Sequence, residues 1–115
     1  MNPLLEQALA EIDPLTAERG FQQPSSATLG EAERLLALVH PRWRAPTVEV
    51  LSDGAVVLDW DAGAHGWLQL TVQGDGRLVH SAVIEGDDYA QSEPFFDQLP
   101  DWADALLKKL LSREH

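Results

Sequence analysis

The chain has 115 residues, no cysteine and a formal net charge of -11. That length suits one domain with its own core, and the absence of cysteine removes disulfides, cysteine zinc sites and a thiol nucleophile. The acidity argues against a nucleic-acid binder, which needs a basic face, and against an anionic membrane surface. Apolar residues at 44% are too many for a disordered acidic tail.

The first element predicted is a helix. Asn2 caps it, Pro3 suits its first position, and Leu5, Ala8, Leu9 and Ile12 form one apolar stripe. Asp13-Pro14 is expected to break or kink it, with a short continuation ending at Gly20. The N-terminus lacks a basic start and a long apolar run, so no export signal is expected. Residues 21–27 read as a loop. Thr28-Leu29-Gly30-Glu31 has the capping-box spacing and is expected to open a second helix, which Pro41 stops.

Four strands follow. Thr47 to Leu51 and Ala55 to Trp60 flank Ser52-Asp53-Gly54, and Trp67 to Gln73 and Arg77 to Ile84 flank Gly74-Asp75-Gly76, two Asp-Gly hairpin signals. Alternation puts Val56, Leu58 and Trp60 on a dry face with Leu68, Leu70 and Val72. Glu49, Asp59, Gln69, Thr71 and Gln73 fall on a wet face, the pattern of an antiparallel meander. The fourth strand leaves Leu78, Ala82 and Ile84 competing with Val79 and Val83. Residues 85–98 read as an acidic loop and 99–113 as a closing helix. Asp101 and Asp104 in its first turn, with Lys108, Lys109 and Arg113 in its last, suit the helix dipole. The expectation is a single α+β domain over 1–115: a helical part (1–45), a four-stranded antiparallel meander (46–84), the acidic loop, and a C-terminal helix. Two N-terminal helices and the last one pack on one face.

Charge is unevenly spread. Residues 1–45 carry six acids and four arginines; residues 46–107 carry twelve acids and one base, Arg77; residues 108–115 carry three bases and one acid. The excess therefore belongs to the sheet, its turns and the start of the last helix. It serves solubility, and it also suits attraction of a basic partner.

No catalytic or metal motif stands out. Asp59, Asp61 and His65 are the nearest thing to a carboxylate metal group, and solvated acids beside a core tryptophan are the plainer reading. None of the four histidines has helical metal spacing with another. No G-x-S-x-G elbow is present, and Gly74-Asp75-Gly76 lacks phosphate-loop spacing. Of the four tryptophans, Trp60 and Trp102 read as core, Trp67 falls on the wet side, and Trp43 sits between arginines in a connector.

Residues 27–33 (Ala27 to Glu33), Pro46 to Trp60 with its Asp53-Gly54 and Leu58-Asp59-Trp60, Asp75-Gly76-Arg77-Leu78, and Glu93 to Pro100 together carry a resemblance. They resemble a set of small acidic bacterial proteins with two DG-hairpins and a closing helix, over roughly residues 27–111. The architecture is similar to immunity proteins of bacterial toxin systems, including contact-dependent inhibition, an analogy of plan. The expected function is a cytoplasmic, non-catalytic immunity or antitoxin protein that neutralises a basic toxin domain, for instance a nuclease. It is expected to be a monomer when free and to use no cofactor. Expected contacts are Asp59, Asp61, Asp87, Asp88 and Glu93, with Trp67 as apolar anchor. The alternatives are a type III secretion chaperone, which would be a stable homodimer, and a small hydrolase or metal-dependent enzyme.

Overall fold

The computed structural model describes residues 2–20, 22–39 and 42–111, the side chains of 13–19 excepted. Among these, the order is α1 (Pro3–Arg19), α2 (Ser26–Val39), β1 (Thr47–Val50), β2 (Val56–Asp61), a single 3-10 turn (Gly63–His65), β3 (Gly66–Val72), β4 (Arg77–Ile84), β5 (Asp87–Pro94) and α3 (Asp101–Leu111). The five strands form one antiparallel sheet in the order β1-β2-β3-β4-β5. The protein is α+β, with α1 and α2 before the sheet and α3 after it.

The sheet has five strands where four were expected. Residues 87–94 form β5 and are not part of a loop: Asp87 pairs with Ile84 and Pro94 with Arg77. The turn into β5 is Glu85-Gly86, with φ of 51° and 86°. Two consecutive positive φ values are what a two-residue hairpin of the I′ kind requires. Glutamate at the first of these positions hides the turn in the sequence, because asparagine and aspartate are the residues that announce it.

The helices differ from expectation in two places. α1 continues unbroken through Pro14 to Arg19. A proline inside a helix costs one hydrogen bond and a local clash, which bends a helix more readily than it ends one when the residues before it are anchored. Leu5, Ala8 and Ile12 supply that anchor, all buried. Gly20, at φ 71°, ends the helix as expected, and Asn2 Oδ1 accepts the Leu4 N–H at 2.8 Å at its start. α2 starts at Ser26, earlier than the Thr28 capping box implied. The N-cap is Ser25, whose Oγ accepts the Thr28 N–H at 3.1 Å while its carbonyl takes the first helical bond from Leu29. The expected stop at Pro41, His40 beside it, and Arg113 and His115 at the far end all lie outside the described residues. α3 begins at Asp101, with Asp101 and Asp104 in its first turn and Lys108 and Lys109 in its last.

One side of the sheet is dry. Val56, Leu58 and Trp60 on β2 face the same way as Leu68, Leu70 and Val72 on β3 and Leu78, Ala82 and Ile84 on β4. These side chains and the apolar stripes of all three helices make one cluster. Each fully buried leucine here contributes roughly 2 kcal/mol, so the shared core outweighs strand propensity in holding the meander. Trp60 is wholly buried and donates its indole N–H to the Arg44 carbonyl at 2.8 Å, so its one polar atom is satisfied. The ambiguity of β4 is resolved in favour of Leu78, His80, Ala82 and Ile84 facing inward, with Val79 exposed.

Candidate functional site

Strand register decides which expected contact residues belong together. In one row across the sheet, Asp61 on β2 lies opposite Trp67 on β3, Trp67 opposite Val83 on β4, and Val83 opposite Asp88 on β5. The next row on the same face joins Asp59, Gln69, Ser81 and Ala90. This is the face away from the helix-covered core. Thus Asp59, Asp61, Trp67 and Asp88 share one open surface, with Val79 and Val83 beside them.

Asp87 and Glu93 do not join that surface. They pair with Ile84 and Leu78, both inward-facing, so their side chains stand on the helix side of the edge strand. The expected six-residue patch is therefore split four and two. Side-chain alternation along a strand separates Asp87 from Asp88.

The open face carries the carboxylates of Asp59, Asp61 and Asp88, with Arg44 beside the first two. Burial first, and the neighbouring Asp61 second, hold the Asp59 carboxyl above its ordinary value; a hydrogen bond with Gln69 and the charge of Arg44 pull the other way. Arg44 donates to the Asp61 carbonyl. The Asp61 carboxylate accepts the Gly63 N–H at 2.8 Å, which fixes the bend after β2. Arg77 lies at the far corner, donating to Ser92 Oγ and O at 2.7 and 2.9 Å. His65 approaches Glu85 at 3.9 Å beside the Trp67 end of the face. Among the described residues, no three His, Asp or Glu side chains group as a metal site would, and His65 does not join Asp59 and Asp61 in one.

A second constellation was not singled out from the sequence. His80, on β4, is buried to 2% exposure, and its Nδ1 has no hydrogen-bond partner. The Trp102 ring stacks on it at 6.5 Å between centroids and 27° between planes. Trp102, expected in the core, is 48% exposed. α3 buries Ala103, Leu106, Leu107 and Leu110 against the centre of the sheet, so the residue at the margin of that stripe reaches outward over β4. Burial lowers the His80 pKa from its ordinary value, and the Glu93 carboxylate partly opposes that. The signal in the sequence was present but needed β5: once 87–94 is a strand, Glu93 and Gln91 fall on the His80 side.

Compared with known proteins, the chain matches no family model, no curated protein and no solved structure. The geometry of the two surfaces is accordingly the basis for assigning a role.

Proposed function

We propose that this chain is a non-catalytic acidic binding protein of the immunity or antitoxin kind, which presents the open face of its sheet to a basic partner domain. The observation that supports this reading is the row Asp61–Trp67–Val83–Asp88, with Asp59 one row away on the same face. It sets an aromatic and an aliphatic side chain between carboxylates on a rigid surface, the arrangement of an apolar anchor within an acidic rim. A nuclease or other phosphate-handling toxin domain has the complementary charge, and acidic side chains stand in for its phosphates. Asp59 adds to the argument. Its carboxylate is crowded by burial and by Asp61, so a cation delivered by a partner relieves a cost already present in the free protein.

The test is capture of a binding protein from the producing cells at low and moderate salt, using the wild type and a Trp67→Ala, Asp61→Asn, Asp88→Asn variant. The expected result is a basic protein retained by the wild type, weakened by salt and lost to the variant, whose own activity the wild type then inhibits. Retention of no basic protein at either salt would sink the reading. A partner retained equally by the variant would move it off this face.

A further inference from the structure

At the opposite side of the sheet, the end of β5 and the start of α3 enclose an open cleft of about 530 Å³. Its walls include Glu93, Phe96, Asp97, Asp101 and Trp102. Phe96 and Trp102 are 66% and 48% exposed, unusual for large apolar side chains in a domain with a complete core. The exposure of Phe96 is imposed by its surroundings. Phe95 is buried and donates its N–H to the Gly76 carbonyl at 2.8 Å, and Arg34 donates to the Phe96 carbonyl at 2.8 Å. With its backbone pinned on both sides, Phe96 is held out beside the cleft.

Polar accounting points to the same place. Among the described residues, Glu93 Oε2 and His80 Nδ1 are buried side-chain polar atoms without a hydrogen-bond partner. Buried polar groups are nearly always paired, so two orphans on adjacent strands beside a cleft mark a missing partner. Glu93 lines the cleft, and His80 lies directly against the Trp102 ring that forms its wall. The far end of the gap between α3 and β5 is closed differently: Lys109 Nζ donates to Tyr89 Oη at 2.9 Å and lies 5.4 Å from the Tyr89 ring centroid.

An aromatic wall, three carboxylates, the unpaired Glu93 Oε2 and an unpaired imidazole nitrogen select a flat cation with several N–H donors. We propose that this cleft binds a guanidinium group, presented as an arginine side chain of a second protein. The guanidinium plane lies against Trp102, its N–H groups go to Glu93 Oε2 and to neutral His80 Nδ1, and Asp97 and Asp101 supply negative charge at the rim. Arginine suits the cleft better than lysine because its planar fork stacks on an aromatic face while donating in several directions. An anion is disfavoured by the same carboxylates. The orphaned atoms are sealed from solvent, so entry turns the half-exposed Trp102 ring outward before the ligand stacks on it. This site lies across the sheet from the open face and does not depend on that face having a partner.

The experiment is a titration of the isotope-labelled full chain, read by the indole N–H resonance of Trp102, assigned by its loss in Trp102→Leu. The probes are a blocked Gly-Gly-Arg-Gly-Gly peptide, its citrulline isostere, and ethylguanidinium. The arginine peptide should shift the resonance with a Kd on the order of 1 mM, and the citrulline peptide should bind at least about tenfold more weakly. Glu93→Gln should weaken the arginine peptide by about tenfold, while Asp61→Asn with Trp67→Ala should leave it unchanged. The rest of each variant's spectrum reports that the fold is kept. Equal shifts with citrulline, an unchanged affinity in Glu93→Gln, or no shift up to about 10 mM peptide would overturn the proposal. Ethylguanidinium binding as tightly as the peptide would overturn the assignment to a protein side chain.

Discussion

The carboxylate of Glu31, on α2, accepts the backbone N–H of Gly74 at 2.8 Å across 43 residues of chain. Its second oxygen accepts the Gly76 N–H, also at 2.8 Å. Glu31 is 4% exposed, so one buried acid clamps both ends of the β3–β4 turn to the helix. The sequence pattern placed this residue in a capping box at the helix start; it reaches outward to the sheet instead.

Replacing Glu31 with alanine leaves two turn N–H groups without acceptors and should cost about 2–4 kcal/mol in denaturant unfolding. Gly74→Ala should cost a similar amount, about 2–4 kcal/mol, because its φ is 79° and a Cβ would lie 2.8 Å from Thr28 Oγ1 and 2.9 Å from Thr28 N. A Glu31→Ala protein within about 0.5 kcal/mol of wild type would refute the clamp.

Asp59→Asn should raise the melting temperature at pH 7. Burial and Asp61 raise the folded pKa above the ordinary 3.8, so the charged form is disfavoured in the fold. That cost is present above the folded pKa, shrinks as pH falls through it, and is gone below 3.8. The advantage of asparagine should fade across the same range. Thermal melts at pH 7 and near pH 4 read both signs, and an Asp59→Asn protein that melts below wild type at pH 7 contradicts the account.

His80 titrates with the opposite consequence. Burial lowers its folded pKa below the ordinary 6.5, so the neutral ring is the one the fold accepts. Its contribution to stability is complete above 6.5 and is lost as pH falls from there through the lowered folded value. Urea midpoints measured from pH 8 to pH 5 should decline below 6.5 in the wild type and less steeply in His80→Gln. Parallel declines in the two proteins would assign the pH dependence elsewhere.

Trp60→Phe should destabilise by about 1–3 kcal/mol, since it removes the bond to the Arg44 carbonyl and leaves space in a filled core. Because Arg44 also holds the Asp61 carbonyl, the amide signals of 61–63 should move with it. Those signals staying fixed would separate the core tryptophan from the open face.

Local chemistry made much of this fold readable. Asp53-Gly54 and Asp75-Gly76 mark real turns, and alternation from Val56 to Val72 assigns the dry face correctly. What the chain did not announce depended on contacts distant in sequence. β5 is polar because it is an edge strand with little to bury, so its composition imitates a loop. Glu31 is spaced like a cap but is used 43 residues away. His80 and Trp102 find each other only after β5 and α3 are in place. The open-face row needed nothing but register, which is why four of the six anticipated residues lie together while Asp87 and Glu93 fall away with the helix side.

Every strand in this sheet lies beside its neighbour in the chain, without a crossover. Hairpins of that kind close quickly, because little loop entropy is lost at each step. The contacts that bring α2 down, Glu31 to the β3–β4 turn and Arg34 to Phe96 across 62 residues, form over much longer loops. The excess of acids carried by the strands and turns keeps like charge along the whole sheet, so two copies of this chain repel each other sheet to sheet.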